Sequence, residues 1–170
     1  MLRWVKNYAH EESYINALSN SIKRHRENSQ ISSEVLLFSF HGLPKRYITL
    51  GDPYQRECEA TAKRVTEKLG LKDHQWRLSY QSRVGKEEWL GPYTDTMLKR
   101  LGSEGTRDID VVCPAFATDC LETLEEIAIE NKAVFLDAGG RSYEYIAALN
   151  DSAEHIEVLA ELVTRQLVGW

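Results

Sequence analysis

The run Glu34-Val35-Leu36-Leu37-Phe38-Ser39-Phe40 constrains this chain more than any other segment. It is apolar almost without interruption, so as a strand it has no wet face and must be covered on both sides. Parallel sheets supply that cover, because the helices connecting their strands lie against both faces. The rest of the sequence keeps the matching rhythm. Residues 11–25 read as a helix with Tyr14, Ile15, Leu18 and Ile22 on one stripe. A helix is expected over residues 54–69, with Pro53 at its start and Gly70 at its C′ position. Residues 75–81 read as a second strand, 92–101 as a second crossover helix closed by Gly102, and 108–113 as a third strand. Asp119 is expected to open a helix reaching Phe135, and residues 141–147 to form a shorter fourth strand. Asp151 or Ser152 then caps a last helix whose apolar positions are Ile156, Leu159, Val163 and Leu167. One N-terminal helix followed by four βα units predicts a Rossmann-like three-layer α/β/α domain with a four-stranded parallel sheet and right-handed crossovers. With 170 residues, no repeat and no linker-like stretch, residues 1–170 are expected to form a single α/β domain.

Composition narrows the function by exclusion. Lys plus Arg is 21 and Asp plus Glu is 26, a net charge of −5, which argues against nucleic acid as a partner. No apolar stretch approaches the ~18 residues of a membrane span, so no transmembrane segment is expected. The N-terminus lacks a signal-peptide pattern, which points to a cytoplasmic protein. Cys58, Cys113 and Cys120 are odd in number and form no CxxC pair, so neither a disulfide scaffold nor a zinc ribbon is expected. No GxGxxG follows the first strand, and neither a P-loop nor a serine nucleophile elbow is present.

In open parallel sheets the ligand crevice lies beyond the carboxyl ends of the strands. That rule selects three segments, at residues 41–54, 82–92 and 114–119. His41 stands first in its loop, where an imidazole can be fixed by neighbours and still face a ligand as base or metal ligand. A half-buried histidine satisfied by a carbonyl is the plainer alternative. Glu122 and Glu126 are one helical turn apart, with Asp119 a turn before them, and like charges at that spacing ask for a cation, a proton or a ligand. Asp119 and Glu122 equally have capping-box spacing, and Glu125 and Glu130 read as solvated face. His41 and Glu122 flank one predicted crevice, and an imidazole and carboxylates around a pocket suit divalent-metal handling or proton abstraction. Around the second loop, Tyr80, Ser82, Arg83 and Trp89 are substrate-binding candidates. The aromatic rings can stack on a flat ligand or pack the loop, and Arg83 can meet a carboxylate or pair on the surface.

The same residues carry a family resemblance. The segments Leu37-Phe38-Ser39-Phe40-His41-Gly42-Leu43-Pro44 and Gly51-Asp52-Pro53-Tyr54 resemble the ferrochelatase signature around its active-site histidine. Gln81-Ser82-Arg83-Val84-Gly85, Trp89-Leu90-Gly91-Pro92-Tyr93-Thr94-Asp95 and the stretch from Cys113 through Glu126 match that family in order and approximate spacing. So do Tyr143-Glu144-Tyr145-Ile146 and Leu149-Asn150. The wording is nearest the enzymes of Gram-negative bacteria. The resemblance implies a chelatase-like fold and insertion of Fe²⁺ into protoporphyrin IX, the last step of haem synthesis, with porphyrin and iron as substrates. It implies His41 and Glu122 as the central pair, in catalysis and in holding metal, and Glu126 and Asp119 as a proton or metal relay beside them. Many members have histidine where this chain has Cys120. The chain resembles only the C-terminal half of such enzymes, so the resemblance implies an N-terminal half as partner, supplying the other wall of the cleft. The face toward that half is expected to be apolar. Without the Cys-rich tail of some relatives, no [2Fe–2S] cluster or other cofactor is expected. A catalytically silent porphyrin- or metal-binding module, or an interaction domain with an acidic surface stripe, are the competing readings, and coproporphyrin and cobalt chelatases share the His-and-Glu logic.

Overall fold

The computed structural model describes residues 2–168. Met1, Gly169 and Trp170 lie outside the described residues. The elements follow in the order α1 (Glu12–Asn28), β1 (Val35–His41), α2 (Lys45–Thr49), α3 (Tyr54–Leu69), β2 (Trp76–Gln81), α4 (Thr94–Ser103), β3 (Asp108–Val112), a π-helix (Glu122–Asn131) continuing into α5 (Lys132–Asp137), β4 (Ser142–Ile146) and α6 (Ala153–Leu167). The four strands are all parallel in the order β2-β1-β3-β4. This is the expected three-layer α/β/α architecture. β1 is buried over six of its seven residues, as its apolar run requires.

Strand alternation divides the core in two. Leu36, Phe38 and Phe40 face one side with Ile15, Leu18 and Ile22 of α1, Ala62 and Val65 of α3, and Val158 and Leu162 of α6. Val35 and Leu37 face the other, with Leu98 and Leu101 of α4, Ile127 of the π-helix and Phe135 of α5. His41 is in step with Val35 and Leu37, so it projects on the side covered by the π-helix. The chain runs from β1 outward to β2 and then back past β1 to β3. The switch point therefore lies between the carboxyl ends of β1 and β3, beside His41.

Three local expectations are corrected. Gly102 does not close α4; it lies inside the helix, and the left-handed glycine is Gly105, at φ 100°. A Cβ on Gly102 would fall 2.9 Å from Ala138 Cβ and 3.0 Å from the Phe135 carbonyl oxygen, so the glycine is there to let α4 and α5 touch. Gly102→Ala is expected to cost about 1–3 kcal/mol through overpacking, read as a lower denaturant midpoint with an unchanged slope. Asp119 does not open the following helix, whose first residue is Glu122. On α6 the sheet-facing side is His155, Val158 and Leu162, with Ser152 as the cap. The expected apolar stripe Ile156, Leu159, Val163 and Leu167 faces outward and is 37–57% exposed. The helix is apolar on two sides, and hydrophobicity alone does not say which one meets the sheet. No described helix is long and apolar enough to cross a membrane.

Candidate active site

At the carboxyl edge of the sheet lies an open cavity of about 470 Å³, bordered by His41, Ser82, Arg83, Val84, Trp89, Leu121, Glu122, Glu125, Glu126 and Glu130. Its basic members are His41 and Arg83. The imidazole Nδ1 lies 2.7 Å from the Gly42 carbonyl oxygen, an acceptor only, so Nδ1 donates and the neutral ring keeps its lone pair on Nε2. The ring sits 6.0 Å from that of Phe116 and 6.4 Å from that of Trp89. The Tyr54 hydroxyl donates to the His41 carbonyl at 2.8 Å, and the Gly42 amide to the Gln81 carbonyl at 2.8 Å, so the loop is pinned by backbone contacts. A Cβ at Gly42 would come 2.9 Å from the Gln81 oxygen and 3.1 Å from the Trp89 ring, which is why glycine follows the histidine.

The acidic wall is the π-helix. Its i→i+5 bonding widens the turn, so residues four and five apart share a face. Glu122, Glu126 and Glu130 form one such row, and Glu125 stands five before Glu130. All four border the cavity, Glu125 and Glu130 as exposed side chains, in keeping with the solvated face expected of them. Two buried side chains support the wide turn. Asn131 Nδ2 donates to the Glu126 carbonyl at 2.7 Å, and Gln81 Nε2 to the Glu122 carbonyl at 2.8 Å. Gln81 also accepts from Ser39 at 2.8 Å, tying the π-helix to β1. Gln81 was not among the sequence candidates, although it opens one of the segments that carry the family resemblance and is a polar side chain ending a strand. The Glu122 carboxyl is held below its ordinary value, first by the Cys120 thiol and its own amide as hydrogen-bond donors, with a smaller attraction from His41.

The second loop contributes differently from residue to residue. Ser82 adopts a left-handed φ of 63°, and its amide and hydroxyl both donate to Glu126, at 2.7 and 2.5 Å. Arg83 stacks its guanidinium 4.1 Å over the Tyr93 ring and pairs with Asp95 at 2.9 Å, between this cavity and a neighbouring one of about 340 Å³. Trp89 is fixed by its indole donating to the Val84 carbonyl at 2.9 Å. Tyr80 is not brought to His41: it is 2% exposed, tilted against Phe40 on the other side of the sheet.

Asp119 is likewise kept out of the cavity. Its carboxylate accepts from Tyr145 Oη (2.7 Å), Asn150 Nδ2 (2.8 Å), Thr123 Oγ1 (3.1 Å) and the Ala148 amide (3.2 Å). Partial burial works to raise this carboxyl, and the four donors outweigh it, leaving the group below its ordinary value of 3.8. A depressed folded-state value stabilises the fold above the ordinary value and loses that contribution as pH falls through the lowered one. The stability gap between the parent chain and Asp119→Asn is therefore expected to be full at neutral pH and to close below about pH 4. Melting curves of both chains from pH 7 to pH 2 that ran parallel would refute it.

The fold is a doubly wound α/β domain, with an imidazole and a row of carboxylates bordering one open crevice at its switch point. A ferrochelatase family model matches residues 1–167. Ferrochelatase 1 of Shewanella oneidensis is 53% identical over 169 residues, covering 99% of this chain and 50% of that protein. The ferrochelatase of Thioalkalivibrio sulfidiphilus is 49% identical over 99% of this chain and 46% of its own length, and that of Mannheimia succiniciproducens is 52% identical over 96% and 50%. The chain belongs to the ferrochelatase family. It spans about half the length of the curated relatives it matches.

Proposed function

We propose that this chain forms one wall of a cleft in which Fe²⁺ is inserted into protoporphyrin IX, in the cytoplasm. The supporting observation is the His41 imidazole, its Nε2 lone pair left open by the Nδ1 contact, facing four glutamates in a chain of this family. Insertion exchanges two pyrrole protons for one Fe²⁺, so the site must accept two protons and attract and partly dehydrate a dication. Neutral His41 accepts a pyrrole proton at Nε2, and the Glu122 carboxylate stabilises the imidazolium that results. Glu126, with Glu125 and Glu130, draws the cation inward and leads protons away. Trp89 offers a flat apolar surface to the macrocycle, and Arg83 a bidentate partner for a propionate once it leaves Asp95.

The remaining part of the family's length is the natural second wall. Because the cavity is open and the chain covers half of its relatives, a second reading holds that the isolated chain binds porphyrin or metal without turnover. The test follows loss of protoporphyrin fluorescence on anaerobic addition of Fe²⁺. It compares the 170-residue chain with the same chain joined to the segment of the Shewanella oneidensis relative that it does not match. Insertion by the joined form alone is the expected result. Insertion by neither, with porphyrin still bound, would replace the enzyme reading by the binding-module one.

A further inference from the structure

The wide first turn of the π-helix starts in the loop after β3, and what fixes that loop is a pair of side chains about thirty residues further on. Asn150 and Asp119 are joined twice: Asn150 Nδ2 donates to Asp119 Oδ2 at 2.8 Å, and the Asp119 amide donates to Asn150 Oδ1 at 2.8 Å. Tyr145, on β4, donates its hydroxyl to Asp119 Oδ1 at 2.7 Å. From Asp119 the chain of contacts continues to Thr123 Oγ1, which donates to Asp119 and accepts from the Cys120 amide at 2.9 Å. Glu122 lies between those two residues. Asn150 itself is held in a left-handed conformation, φ 48°, with its carbonyl 2.7 Å from His155 Nδ1. Asparagine is among the few non-glycine residues that tolerate that backbone.

We propose that Asn150 and Tyr145 are positioning residues for Glu122: clamping the Asp119 carboxylate, they set the Cys120–Thr123 turn from which Glu122 is presented to His41. The inference rests on the reading of His41 and Glu122 as a cation-facing pair. The two residues touch neither substrate nor cation. They act as supporting partners do around metal ligands, where losing one typically weakens metal affinity by about 10–100-fold.

The test uses the full chain and Co²⁺ as probe. The variants are Tyr145→Phe and Asn150→Gly, which keep the ring and the left-handed backbone respectively while removing the donors. Ser152→Ala serves as a control that weakens the α6 cap nearby without touching Asp119. Two readouts are taken. One is the Co²⁺ dissociation constant from its visible spectrum. The other is the rate of Cys120 alkylation by iodoacetamide, specific because Cys58 and Cys113 are buried and Cys120 is half-exposed. Both network variants are expected to bind Co²⁺ about tenfold more weakly and to alkylate faster, and the control to do neither. Lower melting temperatures in the network variants with both readouts unchanged would overturn the proposal, because the contacts would then only hold the β4 loop. Faster alkylation in a chain that binds no Co²⁺ in any form would sink the cation reading of the cavity and leave the turn-setting role standing.

Discussion

His41→Ala is expected to lower iron insertion by the joined form by about 10²–10⁴-fold, the range typical of losing a general base. The variant is a clean one. His41 is half-buried at the end of β1, and its carbonyl, which receives the Tyr54 hydroxyl, is unaffected by truncating the ring. Strand pairing with Gln81 is through the backbone, and the ring borders an open cavity, so removing it enlarges that cavity rather than opening one in the core. The fold should melt within a degree or two of the parent, while insertion collapses. A Gln at this position supplies an acceptor but no titrating base, so His41→Gln separates the two roles. Recovered Co²⁺ binding with insertion still lost would assign His41 to proton removal, and loss of both would assign it to holding the cation. Insertion unchanged in His41→Ala would refute its place at the centre of the site.

What the sequence revealed and what it hid have separate physical causes. β1 was legible because a fully buried parallel strand needs an unbroken apolar run, and α3 because proline and a left-handed glycine mark its two ends. His41 was legible because strand ends at a switch point are where ligands sit. The π-helix was not. The same residues support i→i+4 or i→i+5 bonding, and the choice is made by partners distant in sequence or buried beneath the helix. Gln81 takes the Glu122 carbonyl, and Asn131 takes that of Glu126. Glu122, Glu126 and Glu130 keep i, i+4 spacing in either helix, whereas the wider turn brings Glu125 level with Glu130, five residues on. Asp119 misled for a related reason. Its spacing to Glu122 suggests a cap, but its carboxylate is claimed from Tyr145 and Asn150, a contact no local pattern announces.

The largest stability effect is expected far from the cavity, at Arg26. Asp110 on β3 is 1% exposed, and Arg26 Nε donates to its Oδ2 at 2.7 Å while the Ser33 hydroxyl donates to Oδ1 at 2.5 Å. Its register partner on β4 is a second acid, Glu144, whose own contact is His25 Nε2 at 2.9 Å. His25, Asp110 and Glu144 bring one donor atom each within 4.8 Å of one another, a grouping that resembles a metal site. The cation in contact with Asp110 is the Arg26 guanidinium. Arg26→Ala leaves a buried carboxylate beside a like charge with one hydroxyl for company, and such half-broken pairs cost about 3–5 kcal/mol. Chemical denaturation at neutral pH measures that loss. A compensating change tests the cause. If the penalty comes from the unpaired charge rather than from lost packing by the arginine stem, Arg26→Met combined with Asp110→Val should recover most of it, since an apolar pair of similar volume carries no desolvation cost. A double variant as unstable as Arg26→Ala would instead place the arginine's contribution in the packing of α1 against the sheet.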